Sequence, residues 1–287
     1  MHVLISGSTG LIGSALVRSL QADGHSITRL SRTGGGAGMF DAAAVPACEA
    51  VVHLAGESVA GRWTSAKKAA IRDSRVGGTR SLCEALARLE TRPRVLASAS
   101  AIGFYGDRGG EMLTEASPAG RGFLADVACA WEAAARPAVE AGIRVVLLRF
   151  GVVLSKDGGA LAKMLTPFRM GLGGRIGSGR QYVSWVSLED VVRAVRFALD
   201  TESLCGPINV SAPNAVTNAD FVRALARRLG RPSLVPAPAF AVRAILGEAA
   251  DELLLASTRV KPARLLEAGF SFRHPALEEA LDAALRE

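Results

Sequence analysis

Three glycines near the start of the chain, Gly7, Gly10 and Gly13, are spaced to bind a phosphate. They follow the apolar run His2–Ser6 and precede an amphipathic stretch. In that setting glycines permit a tight turn, let backbone N–H groups approach a pyrophosphate, and let the following helix pack close to the strand. The helix N-terminus adds partial positive charge for the anion. A purely structural turn needs one glycine, not three. The residues of this predicted dinucleotide-binding loop are Gly7, Ser8, Thr9, Gly10, Leu11, Ile12 and Gly13.

The second predicted strand ends at Ser31 and Arg32, where nucleotide-binding proteins of this kind distinguish NAD from NADP. An NAD-binding site places an acid there, about 20 residues past the glycines, to hold the ribose 2′-hydroxyl. This sequence has no acid between Gly24 and Asp41. Arg32 can instead bind a 2′-phosphate, with the Ser31 hydroxyl adding a further bond. The alternative is a solvated surface arginine. The pattern favours NADP as the cofactor.

Short β-rich runs alternate with helical patterns in the first half of the chain. This alternation predicts an α/β fold: a Rossmann-type, doubly wound parallel sheet with a smaller, mostly helical substrate lobe. The predicted strands are His2–Ser6, Ser26–Ser31, Ala50–Leu54, Arg94–Ser98, Arg144–Arg149 and Pro207–Ser211. The longer predicted helical stretches are Ser65–Leu89 and Phe123–Ala141.

The domain organisation follows from where this alternation breaks. Residues 1–154 are predicted to form the dinucleotide-binding domain, completed by about 185–211. Residues 155–184 are glycine-rich and predict a loop-bearing insert, and residues 212–287 show helical patterns interrupted by prolines. These two segments are predicted to form the substrate lobe.

The composition and charge of the chain limit the kinds of binding partner that we expect. The net charge is +7, but the 29 arginines and 5 lysines are dispersed and no basic-aromatic stripe is present, which argues against nucleic acid. No apolar stretch is long enough for a membrane span, and no signal peptide precedes the first strand. Four isolated cysteines indicate a reducing, cytoplasmic compartment, and no histidine pair has ligand spacing, so no metal is expected. We expect a small-molecule substrate, whose identity the sequence does not give. A homodimer paired through helices is compatible with the sequence.

Several motifs together resemble the extended and atypical short-chain dehydrogenase/reductases. The motifs that carry this resemblance are Gly7–Gly13, Val51–Glu57, Ala97–Ser100 and Trp185–Val191. A narrower likeness is to the NADP-binding "epimerase family" branch, which has a C-terminal helical segment. The segments that carry the narrower likeness are Ser98–Gly106, Phe123–Ala125, Trp131–Glu132, Pro167–Gly174, Gly177–Gln181, Arg259–Pro262 and Leu265–Phe270.

The resemblance implies further residues at the cofactor, spread over three predicted elements. Arg75 would contact phosphate or ribose, and Val153 would border the nicotinamide. Without the resemblance, Arg75 is an ordinary charged residue on a helix face. For His53, a buried ring whose hydrogen bonds are made within the protein is favoured over a catalytic role. The residues implied at the cofactor are Leu54, Ala55, Gly56, Glu57, Arg75, Ser98 and Val153.

The catalytic pair typical of this family is missing. Typical members carry Tyr-x-x-x-Lys on one helical face, where the lysine lowers the pKa of the tyrosine. Neither tyrosine of this chain, Tyr105 or Tyr182, has a lysine four residues later. If Glu132 matches the acid that follows the lysine in the family, then Leu124 stands at the tyrosine position and Ala128 at the lysine position.

Three functions therefore stay open. The first is an oxidoreductase or epimerase in which Ser100 and Tyr105 act on the substrate, with Glu57, Asp107 or Glu115 as the carboxylate; packing or capping roles are the alternatives for Ser100 and Tyr105. The second is a non-catalytic NADP(H)-binding redox sensor or interaction module, and the third is an RNA-associated protein with a vestigial cofactor site.

The glycine-rich insert prompts one more hypothesis about the substrate. Arg175 and Arg180, separated by glycines, could close over an anionic or polyhydroxyl substrate, with Gln181 and Trp185 as walls. The alternative is a flexible surface loop.

Overall fold

The computed structural model describes residues 1–31, 40 and 45–286. Its strands, in chain order, are β1 (His2–Ser6), β2 (Ser26–Leu30), β3 (Ala50–His53), β4 (Val95–Ala101), β5 (Met112–Leu113), β6 (Arg144–Phe150), β7 (Val152–Leu154), β8 (Tyr182–Val183), β9 (Trp185–Ser187), β10 (Gly206–Val210), β11 (Val216–Thr217) and β12 (Arg259–Val260).

The helices interleave with these strands. In chain order they are α1 (Leu11–Ala22), α2 (Ser65–Ala87), α3 (Phe123–Ala133), α4 (Arg136–Glu140), α5 (Gly159–Arg169), α6 (Leu188–Asp200), α7 (Asn218–Leu229), α8 (Ala239–Leu246), α9 (Glu248–Ala250), α10 (Ala263–Glu267) and α11 (Leu277–Arg286). A 3₁₀ helix spans Ile102–Tyr105 and a π-helical turn spans Asp251–Leu255. No helix among the described residues is both long and apolar enough to cross a bilayer.

The central sheet has six parallel strands in the order β10-β6-β4-β3-β1-β2. All six correspond to predicted strands, with boundaries shifted by up to three residues. β1 lies between β2 and β3, so the chain reverses its direction of travel across the sheet there. Ligands of such folds bind beyond the carboxyl ends of the strands at this reversal point. The phosphate loop follows β1 at that edge, so the predicted Rossmann-type fold is confirmed.

Both faces of the sheet are covered, as parallel sheets require. Successive residues of a strand point to opposite faces, so Val3 and Ile5 join one apolar cluster with α1 and α6, while Leu4 joins a second cluster with α2. The apolar character of most residues in β3 and β4 follows from this double coverage. Polar side chains within these strands are therefore exceptions that need a reason.

A third apolar cluster gathers α5, α7 and α11 around Trp185, which is completely buried. The sequence predicts the helices after residue 212 but not α5, where it predicts a loop-bearing insert. α5 forms although Gly159 begins it and Pro167 lies inside it. Burial of Leu161, Leu165 and Phe168 on one face outweighs the poor helix propensity of those two residues.

Candidate cofactor-binding and active site

The phosphate loop has no room for side chains at two of its three glycines. A Cβ on Gly7, where φ is 72°, would lie 2.7 Å from the carbonyl carbon of Leu54. A Cβ on Gly13 would lie only 2.1 Å from the carbonyl oxygen of Gly7. Both glycines therefore allow backbone segments to approach more closely than any side chain permits. This is the packing that the glycine spacing predicts.

The start of α1 is open to a ligand. Among the described residues no side chain caps this helix, whereas hydroxyl oxygens of Thr64, Ser187 and Thr217 cap α2, α6 and α7. A Cβ on Gly10 would meet only the carbonyl oxygen of Gly7, at 3.4 Å. The helix N-terminus thus offers N–H groups and positive dipole charge at the carboxyl edge of the sheet. These residues fit the pyrophosphate of a dinucleotide.

The segment after β3 lies beside this loop. The N–H of Leu54 donates to the carbonyl oxygen of Ser6 at 3.0 Å, which fixes Leu54 and Ala55 next to Gly7. The N–H of Glu57 donates to the hydroxyl of Ser74 on α2 at 3.0 Å. The segment implied by the family resemblance is therefore positioned by β1 on one side and by α2 on the other.

Arg75 reaches this segment from α2. Its Nη1 donates to the carbonyl oxygen of Glu57 at 2.9 Å, and its guanidinium carbon lies 5.0 Å from the ring centroid of Trp131. A Cβ on Gly56 would lie 3.4 Å from that guanidinium carbon, so Gly56 makes room for it. Burial lowers the pKa of Arg75 to about 10, which leaves it charged at neutral pH. Glu57 itself pairs with Lys67 at 2.6 Å.

The remaining predicted cofactor residues are placed as follows. Ser31 is exposed just beyond β2, and Arg32 lies outside the described residues. Val153 is half-buried on β7, next to the carboxyl end of β6. Ser98 is completely buried, and its hydroxyl has no hydrogen-bond partner among the described residues.

A row of polar side chains crosses the sheet at Ser6, His53 and Ser98, which are in register on β1, β3 and β4. His53 is completely buried, with Nδ1 at 2.6 Å from the Ser6 hydroxyl and Nε2 at 3.0 Å from the Thr79 hydroxyl. Burial lowers the pKa of His53 to about 4, so the ring is neutral. This placement agrees with the favoured expectation of a satisfied buried histidine.

A second polar row lies closer to the carboxyl edge, at Ser100, Arg149 and Asn209 on β4, β6 and β10. Arg149 donates through Nε and Nη2 to the two carboxylate oxygens of Glu132 on α3, each at 2.7 Å. The Ser100 hydroxyl donates to the same carboxylate at 2.7 Å. Both charged side chains are almost fully buried, at 4% and 11% exposure, so they neutralise one another inside the protein.

Tyr105 belongs to this second network. Its hydroxyl accepts from Arg149 Nη1 at 2.9 Å and donates to Asn209 Oδ1 at 2.7 Å, and the side chain is 0% exposed. Burial raises the pKa of Tyr105, although Arg149 opposes the shift. Ser100 is 2% exposed and donates its proton to Glu132. Both positions favour the packing alternative over direct contact of Ser100 or Tyr105 with a substrate.

Of the three candidate carboxylates, one lines a cavity. Glu115 is buried and accepts the N–H groups of Asn209 and Arg264, and Glu57 is paired with Lys67. Asp107 borders a cavity of about 240 Å³ at the carboxyl edge of the sheet. The other residues that line this cavity include Gly103, Arg121, Leu124, Arg243, Asp251 and Glu252.

Leu124, which the family resemblance puts at the tyrosine position if Glu132 matches the family's acid, makes apolar contacts. Leu124 packs in a cluster that contains Trp63, Phe123 and Leu246, and its Cβ is 3.3 Å from where a Cβ on Gly103 would stand. Ala128, at the lysine position, is 2% exposed. Neither residue can exchange a proton. The sequence lacks the usual Tyr-x-x-x-Lys pair, and in the structure Leu124 and Ala128 contribute to packing instead.

The predicted substrate closure by the glycine-rich insert is only partly compatible with the structure. Trp185 is 0% exposed, and the Gln181 amide donates to the carbonyl oxygens of Ile176 and Leu254. Both side chains are therefore committed to the interior, and neither can wall a substrate site. Arg175 and Arg180 are exposed.

The sequence analysis names Glu132 only as a possible match to an acid of the family, and it does not single out Arg149. The signal that could have found Arg149 is a charged residue inside the otherwise apolar strand Arg144–Phe150, since a buried charge requires a partner. Its partner lies 17 residues earlier, on a different element. Periodicity alone does not connect the two.

The sequence matches the NAD dependent epimerase/dehydratase family over residues 3–210 and a domain of unknown function, DUF1731, over residues 237–284. The epimerase family protein Mb2239 of Mycobacterium bovis is 46% identical over 290 residues, covering 97% of this chain and 96% of that protein. These matches span nearly the whole chain, so they confirm the family resemblance.

Solved structures agree with this assignment. A crystal structure of the human epimerase family protein SDR39U1 (isoform2), with NADPH, superposes with a TM-score of 0.93 at 34% identity and covers 100% of both chains. A nucleoside-diphosphate sugar epimerase from Corynebacterium glutamicum gives a TM-score of 0.83 at 36% identity, covering 99% of this chain and 58% of that one. This chain therefore belongs to the NAD-dependent epimerase/dehydratase family and groups there with the SDR39U1-like epimerase family proteins.

Proposed function

We propose that this chain is an NADP(H)-dependent oxidoreductase whose substrate occupies the cavity beside Gly103 and Leu124. The observation that carries the proposal is the location of this cavity. It opens at the same edge of the sheet as the phosphate loop, next to the helix that bears the catalytic pair in typical family members. When bound, NADP(H) supplies or accepts a hydride. An epimerase that works by transient oxidation would use the same arrangement.

Two observations support NADP(H) over NAD(H). The end of the second strand carries Ser31 and Arg32 with no nearby acid, so a 2′-phosphate would meet a cation rather than a carboxylate. The human relative with a TM-score of 0.93 was crystallised with NADPH. Gly7, Gly10, Gly13 and the open start of α1 would hold the pyrophosphate, with Arg75 fixing the segment that follows β3.

Asp107 is the proposed proton-exchanging group. Its Oδ1 accepts the N–H groups of Gly109 and Ser257, at 3.2 and 3.1 Å, so the carboxylate is held in place at the cavity wall. Ser100 and Tyr105 are proposed as positioning residues, because their hydroxyls are used inside the network of Glu132 and Arg149. In this scheme Asp107 replaces the missing tyrosine, and the buried network keeps β4, β6 and α3 in place beneath the reacting groups.

A second candidate function is a non-catalytic NADP(H)-binding sensor. The observation that favours it is the apolar replacement of the whole Tyr-x-x-x-Lys pair by Leu124 and Ala128. In that case cofactor binding would persist while no substrate is turned over. Binding and turnover must therefore be measured separately.

The test combines calorimetric titration of NADPH and NADH with NADPH oxidation in the presence of a panel of small aldehydes, ketones and oxo acids. We expect tighter binding of NADPH and measurable oxidation that falls at least about tenfold in Asp107→Asn. Asp73→Asn, an exposed position on α2, is the control. NADPH binding without turnover of any panel member would replace the oxidoreductase with the sensor, and no binding of either cofactor would contradict both.

A further inference from the structure

We infer that the cavity beside Leu124 selects a small monoanionic hydroxy or oxo acid, and that Arg121 binds its carboxylate. This inference rests on the proposed function and names the substrate class of the same site. This substrate class differs from the nucleotide sugars on which sugar epimerases act. Three features of the cavity carry it: its size, the balance of its charges, and the availability of one guanidinium.

The size argues against a nucleotide sugar. Pockets that enclose drug-sized ligands measure about 300–1,000 Å³. This cavity has about 240 Å³. A nucleoside diphosphate joined to a sugar is at least as large as such ligands, so it would extend beyond this cavity. A compound of a few carbon atoms fits inside.

The charges of the residues that line the cavity disfavour a strongly anionic ligand. The residues that line it include three acids, Asp107, Asp251 and Glu252, and two arginines, Arg121 and Arg243. A diphosphate or a dicarboxylate would meet more negative than positive charge at close range. A single carboxylate needs only one cation, which the wall provides.

Most of these charges are already satisfied within the protein. Arg243 donates to Asp251 at 2.8 Å. The carboxylate of Glu252 accepts the N–H groups of Phe123 and Leu124 at 2.8 and 2.7 Å. These three side chains shape the wall and hold its elements together. Their charged groups are already paired within the protein, so few of their hydrogen-bonding groups are available to a ligand.

Arg121 is different, because it is exposed and its side chain makes no hydrogen bond or ion pair with the residues that the structure describes. Its backbone is nevertheless fixed at the cavity, since a Cβ on Gly106 would lie 2.8 Å from the Arg121 carbonyl oxygen. The planar guanidinium can bind a carboxylate through two parallel N–H bonds. The second anchor is Asp107, whose carboxylate can accept a ligand hydroxyl. An arginine and a carboxylate on one small cavity together recognise a hydroxy acid.

The experiment uses the full-length protein saturated with NADPH and three probes: lactate, glycerol and UDP-glucose, with binding followed by saturation-transfer difference NMR and calorimetry. We expect lactate to bind and the other two not to bind. Because a charge-assisted hydrogen bond contributes about 1.5–3 kcal/mol, Arg121→Ala should weaken lactate binding about 10- to 150-fold. Arg136→Ala, which removes an exposed arginine on α4, is the matched control and should change nothing.

The outcomes separate this inference from the proposed function. Unchanged NADPH affinity in Arg121→Ala shows that the variant is folded and that the cofactor site is intact. Binding of UDP-glucose, binding of lactate that Arg121→Ala does not weaken, or no binding of lactate to the NADPH-saturated protein would each overturn the inference while leaving NADPH binding in place. Failure of NADPH itself to bind would instead contradict the proposed function.

Discussion

Glu252 accepts the backbone N–H of Leu124 at 2.7 Å, so the C-terminal segment holds the start of α3, at the residue to which the family resemblance assigns the tyrosine position. The same carboxylate accepts the N–H of Phe123, and thereby caps α3 with a negative charge at its positive end. Gly122, with a φ of 114°, brings the chain close enough for this contact. The matched DUF1731 segment is therefore part of the wall of the site.

Removing this cap should weaken the fold. Glu252→Ala loses two charge-assisted hydrogen bonds at a helix N-terminus, which we expect to lower the free energy of unfolding by about 1–3 kcal/mol. Urea denaturation followed by circular dichroism measures the change. Glu248→Gln is the control, because Glu248 forms only an exposed ion pair with Lys68 and its loss should cost less than about 1 kcal/mol. Equal losses in the two variants would refute a capping role.

Breaking the buried ion pair of Glu132 and Arg149 should destabilise the fold more than removing the Glu252 cap. Glu132→Gln leaves the Arg149 guanidinium buried without its counter-charge, and we expect a loss of about 3–5 kcal/mol in the free energy of unfolding. The double variant Glu132→Leu with Arg149→Met removes both charges and should recover much of that loss. Glu140→Gln, which breaks an exposed pair on α4, serves as the control. A loss below about 1 kcal/mol in Glu132→Gln would argue against the pair as a buried anchor.

The phosphate loop predicts a selective loss of cofactor binding. In Gly13→Ala the new Cβ would lie 2.1 Å from the Gly7 carbonyl oxygen, so the loop or the start of α1 must shift. Overpacking of this kind costs about 1–3 kcal/mol, and we expect NADPH affinity to fall about tenfold or more. Calorimetric titration measures the affinity. Gly110→Ala meets no atom within 4 Å and should bind NADPH as the unaltered chain does. Unchanged affinity in Gly13→Ala would place the nucleotide elsewhere.

Much of this architecture is accessible from the sequence. The six sheet strands and the glycine loop follow from local patterns, because apolar runs bounded by turn residues and closely spaced glycines report structure within a few residues. α5 was missed because Gly159 and Pro167 lower local helix propensity, whereas its stability comes from packing against distant helices. The network around Arg149 was missed for a related reason: its members lie on β4, β6, β10 and α3, and only strand register brings them together.

The choice between NADP and NAD can be tested at Arg32, which lies outside the described residues and whose role stays a prediction from sequence. Arg32→Ala should weaken NADPH binding about 10- to 150-fold, because it removes a charge-assisted bond to the 2′-phosphate, and should leave NADH binding unchanged. Arg18→Ala, on the exposed side of α1, is a charge-matched control. An equal loss of affinity for NADPH and NADH in Arg32→Ala would show that Arg32 does not bind the 2′-phosphate.

His53 predicts how stability depends on pH. Burial lowers its folded-state pKa from 6.5 to about 4. Between these two values the histidine binds a proton in the unfolded chain but stays neutral in the folded chain. Stability is therefore complete above about pH 6.5 and falls as the pH drops towards 4. The expected loss over that range from this residue is about 3 kcal/mol.

Urea denaturation at pH 7.5, 6.5, 5.5 and 4.5 measures this dependence. The variant His53→Gln keeps an amide that can bond to Ser6 and Thr79 but cannot titrate, so its stability should change less between pH 6.5 and 4.5 than that of the unaltered chain. Both proteins also contain carboxylates that titrate in this range, and the difference between the two curves isolates the histidine. Parallel curves would mean that the His53 ring is protonated as readily in the folded chain as in the unfolded one, which would be incompatible with its complete burial between β1 and α2.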